Sequence, residues 1–274
     1  MDIHKLKTAD IKALLDQGSE DELALLQAMK ADKRVSVQRL AQSYFKRKLK
    51  EEAERERVLH MYALETAYYN QGVYRVAGVD EAGRGPAAGP VMIAAVILPP
   101  YWECPGLNDS KKLSPAKRDA LYDKIMDEAV AVSCVSQSEA QIDALDIYHA
   151  TMQGMYDAIA GLDTAAEAVL IDAMPLRRLT VPHQSIVHGD AVSASIAAAS
   201  IIAKVTRDRL MIDYDKTYPQ YGFAIHKGYL TQRHMEALRQ YGPCPIHRRS
   251  FEPIKSMVAQ AAGGGCKNSM DEQP

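Results

Sequence analysis

The alternation of apolar and polar positions divides the chain into a helical N-terminal stretch and a mixed region after it. Through residues 1–70 apolar side chains recur at three-to-four spacing, the period of a helix with one buried face. Ser19 opens S-E-D-E, a capping box with Glu22 at its third position, ahead of Leu23, Leu25 and Leu26. A second amphipathic run starts near Ser36 with Val37, Leu40, Ala41, Tyr44 and Phe45, and continues with Leu59, Tyr62 and Tyr68. Between them Lys46 to Arg57 is charged almost all round and is expected to face solvent. Asn70 and Gly72 read as the stop signal. This helical extension is equally a separate module or an arm on the mixed region.

The period changes at Tyr74. Tyr74 to Val79 and Val91 to Leu98 are strand-like, and the Gly- and Pro-dense link between them is too short for a parallel crossover, so they form a hairpin. Ala129 to Ser136 reads as a third strand, with helical patterns over Ala116–Glu128 and Glu139–Leu162. Ala166 to Ile171 is a buried strand ending at Asp172, and Ser185 to His188 a short one before Gly189-Asp190. Ser193 to Asp213 is a helix whose first half is almost all Ala, Ser and Ile, small enough for close backbone approach. The pattern predicts an α/β fold, a mixed sheet with helices packed against it. The expected division is a helical extension over 1–70, a catalytic region with C-terminal helices over 71–260, and a polar, Gly-rich disordered tail over 261–274.

Composition narrows the class. The chain has 274 residues, 47% hydrophobic and 25% charged, which excludes wholesale disorder and a collagen-like repeat. No apolar run approaches the roughly 18–20 residues of a spanning helix, and MDIHKLKTAD has no apolar signal core, so a cytoplasmic protein with no membrane partner is expected. The four cysteines, Cys104, Cys134, Cys244 and Cys266, lie far apart, which suits free thiols in a reducing compartment and argues against zinc. Lys and Arg number 33 against 35 Asp and Glu, a net charge of −2, but Ala203 to Lys255 holds ten Lys/Arg against five Asp/Glu, together with His226, His234 and His247. Such a segment can hold a polyanion or be an ordinary solvated helix surface.

Three strand ends terminate in acid: Asp80-Glu81, Asp172 and Asp190. One acid at a strand end is ordinarily a cap or turn former; three together call for another reason. Converging carboxylates repel one another, and a divalent cation removes the problem. Oxygen ligands without Cys or His point to Mg²⁺ or Mn²⁺. Two such ions about 4 Å apart can stabilise both the attacking and the leaving oxygen of an in-line displacement, so acid cluster and basic flank together suggest phosphodiester cleavage. Gly83-Arg84-Gly85 comes directly after the first acids, a turn whose N–H groups can approach an anion, with Arg84 as a further contact.

Asp80–Pro90 (DEAGRGPAAGP), Leu107–Leu113 (LNDSKKL), Gly189–Arg207 (GDAVSASIAAASIIAKVTR) and His226–Thr231 (HKGYLT) together resemble the bacterial ribonuclease HII family, in order, over about Tyr74 to Pro253. The resemblance implies a ribonuclease H-like fold with Asp80, Glu81, Asp172 and Asp190 binding Mn²⁺ or Mg²⁺. It implies hydrolysis of RNA in RNA–DNA hybrids. It also implies nicking of duplex DNA 5′ of a single embedded ribonucleotide, leaving a 3′-hydroxyl and a 5′-phosphate. Gly83-Arg84-Gly85 would recognise the 2′-hydroxyl, and Tyr229 would stack on the sugar at the RNA–DNA step. Lys111, Lys204, Arg207 and Lys227 are expected phosphate contacts, and Ser110 and Ser195 further donors; Asn108-Asp109-Ser110 can equally be a simple turn. A monomer is expected. The sequence has G-Y-L-T where the family more often has G-Y-G-T or G-Y-P-T, and Ala173 where glycine is usual. The related ribonuclease HIII family usually has an N-terminal sheet domain and a glutamate as fourth acid; the helical extension and Asp190 speak against it.

Overall fold

The structure, a computed structural model, describes residues 3–18 and 21–264. The chain divides into two compact units, Met1–Arg57 and Val58–Pro274. The first contains α1 (Thr8–Gln17), α2 (Glu22–Ala31) and most of α3 (Val35–His60), whose apolar stripes meet at Ile11, Leu15, Leu25, Met29, Val37, Ala41 and Tyr44. Ser19 lies outside the described residues; Asp21 is the observed cap of α2, accepting from Ala24 N at 3.3 Å. Phe45 and Leu59, expected on the apolar stripe, are exposed. Asp32 is buried and accepts from the Arg34 guanidinium at 2.6 Å, and this hydrogen bond holds its carboxyl far below the usual range.

The second unit contains α4 (Ala63–Tyr69), β1 (Val76–Ala82), β2 (Val91–Ile97), α5 (Pro115–Glu128), β3 (Ala131–Gln137), α6 (Glu139–Leu145), α7 (Ile147–Ala160), β4 (Ala168–Asp172), β5 (His183–Ile186), α8 (Ala194–Thr217), α9 (Phe223–His226), α10 (Gln232–Tyr241) and α11 (Ile254–Gly264). The sheet order is β3-β2-β1-β4-β5. β1, β2 and β3 form an antiparallel meander, and β4 and β5 add in parallel beside β1. One face carries Ala77, Val79, Ile93, Val169 and Ile171 against Ile142 of α6 and Ala150, Met155 and Ala158 of α7. The opposite face carries Val76, Ala94 and Leu170 against α8, with Leu121 and Ile125 of α5. Val58, Met61, Tyr62, Tyr68 and Tyr69 belong to that second core, so the last part of residues 1–70 packs within the larger unit.

The structure shifts several predicted boundaries. β1 continues to Ala82, because Asp80 and Glu81 still find register partners in Ala94 and Ile93. The two acids therefore lie inside the strand rather than after it. The helix expected over 139–162 breaks at Asp146, which adopts φ 67° and caps α7 by accepting from His149 N at 2.9 Å. β5 stops at Ile186, before His188 turns left-handed with φ 58°. Ala173, where the family usually has glycine, sits at φ 53°, a conformation glycine adopts with less strain. The tail expected to be disordered from Ala261 is helical to Gly264; the rest lies outside the described residues. No described helix is long and apolar enough to cross a membrane. Cys104, Cys134 and Cys244 are free thiols, and Cys266 lies outside the described residues.

The small residues that open α8 let it lie directly on β1. A Cβ built on Gly78 would stand 2.0 Å from the Ser195 carbonyl carbon, where only backbone could yield. Gly78→Ala is therefore expected to cost about 3 kcal/mol or more, the upper end of overpacking, in urea unfolding; an unchanged midpoint would contradict this close approach.

Candidate active site

Parallel pairing of β1 with β4 runs from Val76 opposite Ala168 to Val79 opposite Ile171. One residue further on, Asp80 and Asp172 stand on neighbouring strands. Asp80 is 3% exposed and its Oδ1 accepts from Glu81 N at 2.7 Å. Glu81 is half-buried; its Oε1 meets Arg84 Nη1 at 3.4 Å, while Oε2 is buried without a hydrogen-bond partner. Asp172 Oδ1 accepts from Gly189 N at 2.8 Å, which ties the end of β4 to the turn carrying Asp190. That turn, Gly189–Ala191, leads into Ser193, whose hydroxyl caps α8 by accepting from Ile196 N at 3.2 Å. Asp190 is 4% exposed and lies 3.4 Å from Lys111 Nζ.

The four acids share one electrostatic field. Burial raises Asp80 well above the usual carboxylate range, and the charges of Glu81, Asp172 and Asp190 push it the same way. Burial also raises Glu81, with Arg84 opposing and Asp172 adding to the shift. Asp190 is raised by burial and by Asp109, with Lys111 opposing. Against its own partial burial, Lys111 is raised by Asp190, Asp80 and Asp109. Among the described residues no three His, Cys, Asp or Glu side chains form a ready coordination cage. The donor set nevertheless fits a hard divalent cation: it is all carboxylate oxygen, mutually repelling, and includes the orphaned buried Glu81 Oε2.

Beside the acids stands the Gly83-Arg84-Gly85 turn. Gly83 has φ +95°, and a Cβ there would meet Arg207 Nε at 1.9 Å, so both backbone conformation and space require glycine. A Cβ on Gly85 would lie 3.6 Å from Tyr229 Cε1, which places the half-exposed Tyr229 ring next to the turn. Ala87 N donates to Gly228 O at 3.0 Å and joins the two segments.

The expected basic contacts separate. Lys111 is exposed and reaches the acids. Lys204 is paired with Asp208 at 2.8 Å, and Lys227 Nζ donates to Ala224 O. Arg207 corrects the expectation of a phosphate contact: it is 1% exposed, and its three guanidinium nitrogens donate to the carbonyls of Pro90, Lys227 and Ala88, each at 3.0 Å. Ser110 and Ser195 are buried as well; Ser110 Oγ accepts from Ser200 Oγ at 2.6 Å. The basic segment is therefore not one solvated cationic face.

Glu65 escaped the sequence reading, and the role of three histidines was not visible in it. Glu65 is fully buried, and its Oε1 accepts from Ser193 Oγ at 2.6 Å and Ser195 N at 3.0 Å, fixing the start of α8 just after Asp190. Burial raises its pKa despite these bonds. Three histidines, His226, His234 and His247, are buried behind Tyr229. Cys244 N donates to His247 Nδ1 at 2.9 Å, so His247 Nε2–H donates to His234 Nε2 at 3.0 Å, and His234 Nδ1–H donates to Tyr229 O at 3.0 Å. Burial lowers His234 and His247 to about 4, so both are neutral around pH 7. The sequence marks these histidines only as members of the basic segment, with nothing in it to distinguish backbone support from contact with a polyanion.

The family model for ribonuclease HII matches residues 77–254, and that for the ribonuclease HII N-terminal domain matches residues 7–69. A ribonuclease HII of Bacillus cytotoxicus is 49% identical over 245 residues, covering 89% of this chain and 94% of the relative. A solved ribonuclease H2 from Pyrococcus horikoshii superposes with a TM-score of 0.59 at 28% identity, covering 68% of this chain and 98% of that one. A ribonuclease HII from Archaeoglobus fulgidus, solved in complex with PCNA, superposes with a TM-score of 0.56 at 25% identity, covering 65% and 95%.

The raised carboxyls have a consequence for stability without divalent ions. A carboxyl whose folded value is raised contributes stability below its unfolded value, and that contribution is lost as pH rises through the folded value. As pH rises through these raised values, ionisation of Asp80, Glu81 and Asp190 thus becomes destabilising. In chelator, Asp80→Asn is expected to raise the thermal midpoint at pH 8, with the gain shrinking as pH falls toward about 4, the ordinary carboxylate value. A lower midpoint for the variant at pH 8 would contradict the crowding.

Proposed function

The chain belongs to the ribonuclease HII family, ribonuclease H enzymes that cleave RNA in RNA–DNA hybrids, and from that premise we propose that it also nicks duplex DNA 5′ of a single embedded ribonucleotide. The observation that carries this reading is the juxtaposition of Tyr229 and Gly85 beside the buried acids. Only the 2′-hydroxyl marks RNA at a chosen position, and an aromatic face accepts any base or sugar it stacks on. Tyr229 packs against the sugar at the RNA–DNA step, and Gly83-Arg84-Gly85 approaches the 2′-hydroxyl through backbone N–H groups. Lys111, exposed and beside Asp190, is the phosphate contact of this site.

Asp80, Glu81, Asp172 and Asp190 are the residues that would hold Mg²⁺ or Mn²⁺. Held there, divalent ions would supply Lewis acidity to hydrolysis of the phosphodiester, which leaves a 3′-hydroxyl and a 5′-phosphate. The chain's own part is placement. Asp172 holds the Gly189 peptide and thereby keeps Asp190 within electrostatic reach of Asp80 and Asp172. Lys111 offsets the negative charge of the acids and of the approaching phosphate. One chain supplies all four carboxylates, so a monomer is sufficient. Free thiols at Cys104, Cys134 and Cys244 suit a reducing cytoplasm.

Cleavage of duplex DNA carrying one ribonucleotide, with Mg²⁺, Mn²⁺ or chelator and the nick mapped to the nucleotide, tests this directly. Cutting 5′ of the ribonucleotide with either metal and none in chelator is expected; failure on this duplex with retained hybrid cleavage would remove the proposal. Asp172→Asn should lower the cleavage rate about 10²- to 10³-fold while duplex binding persists, the scale of losing a principal electrostatic group. Tyr229→Ala should reduce kcat/KM on the single-ribonucleotide duplex by roughly tenfold, one stacking contact, and by less on a uniform hybrid. Equal losses would count against a role at the junction.

A further inference from the structure

Two arginines are buried almost completely, Arg207 at 1% and Arg248 at 0% exposure. A buried guanidinium is costly unless its N–H groups find acceptors. Both find backbone carbonyls of one loop. Arg248 donates from Nε to Gly89 O at 2.9 Å, from Nη1 to Arg84 O at 2.9 Å and from Nη2 to Gly83 O at 2.6 Å. Arg207 takes Pro90 O and Ala88 O from the other end of the same loop. Burial, with Arg207 nearby, lowers Arg248 to about 9, still above neutral pH.

The geometry has a directional consequence. In a trans peptide the C=O and the following N–H point opposite ways. Arg248 draws the carbonyls of Gly83 and Arg84 inward, so the N–H groups of Arg84 and Gly85 point away from it. Neither N–H is taken by another group among the described residues. On this part of the turn lies the Tyr229 ring, 3.6 Å from a Cβ placed on Gly85. Arg248 is itself firmly held. Its N donates to Ala87 O at 2.9 Å, and its guanidinium stacks 5.0 Å from the centroid of Phe251. Asp143 of α6 accepts from Arg249 N, Ser250 N and Ser250 Oγ at 2.9, 2.8 and 2.6 Å, which pins the segment.

We propose that Arg248 is the positioning residue for ribonucleotide discrimination: by holding two successive carbonyls it aims the Arg84 and Gly85 N–H groups at the 2′-hydroxyl beside Tyr229. This rests on the reading that the Gly83-Arg84-Gly85 turn contacts the ribose. Lysine is not an equivalent, because one ammonium on a flexible stem cannot hold three carbonyls in the fork geometry of a guanidinium.

The test is binding rather than turnover. Fluorescence anisotropy in chelator, where nothing is cut, gives affinities for a duplex carrying one ribonucleotide and for the same duplex in all-deoxy form. The wild-type protein is expected to prefer the ribonucleotide. Arg248→Lys should reduce that preference roughly three- to tenfold, the worth of one or two backbone hydrogen bonds, while all-deoxy affinity stays within about twofold. Asp143→Ala, which loosens the segment without touching the turn, should reduce the preference in the same direction and serves if Arg248→Lys does not fold. An unchanged preference, or a parallel loss of both affinities, overturns the positioning role. A wild-type protein with no preference sinks the reading of the turn itself, and the inference with it.

Discussion

The parallel pairing of β1 with β4 is the constraint on which the rest depends. It brings Asp80 and Asp172 together at one end of the sheet, and Asp172 then captures the Gly189 peptide and with it Asp190. Burying carboxylates next to one another opposes folding. The surrounding structure offsets that cost through a fully apolar β2, two helical layers, and an α8 that rests on β1 at Gly78. Glu65, deep beneath the same corner, holds the first turn of α8 through Ser193 and Ser195. The stability of the larger unit therefore supports a corner that is unfavourable by itself, and a divalent cation is the natural complement to that corner.

A second organising feature is how cationic and polar side chains are used inside the protein. Arg207 and Arg248 direct their donors to the carbonyls of the loop from Gly83 to Pro90, and to Lys227. His247 and His234 pass one hydrogen bond to the next until it reaches the carbonyl of Tyr229. Both devices hold backbone, one at the Gly83-Arg84-Gly85 turn and the other at Tyr229, whose ring lies beside Gly85. In a β-strand or helix the backbone polar groups satisfy one another; in an irregular loop they do not, and buried side-chain donors take over. The turn and the tyrosine are thereby made rigid without secondary structure of their own.

Much of this architecture is legible in the chain itself. The hairpin, the third strand, the small-residue helix and the strand ending at Asp172 all follow from periodicity and from the length of the links. The four acids are visible because charge at the end of an apolar run is unusual. The boundaries are less legible. β1 carries on through Asp80 and Glu81 because β2 still offers register partners, and the helix over 139–162 breaks at Asp146 through a left-handed residue that is not glycine. The basic count over Ala203 to Lys255 suggests an exposed face, yet two of its arginines are fully buried.

Sequence by itself determined which residue types were available and how each stretch would repeat: periodicity marks strands and helices, and clustered motifs mark the family, because these depend on neighbours a few positions apart. Only the tertiary structure decided which donors face solvent and which face carbonyls. Arg207 and Arg248 look no different in sequence from Lys111, and apart from Lys227 the carbonyls their guanidinium groups hold lie more than a hundred residues away. Long-range contacts select the acceptor each charge meets, and the acceptor decides whether that charge positions backbone or greets a substrate.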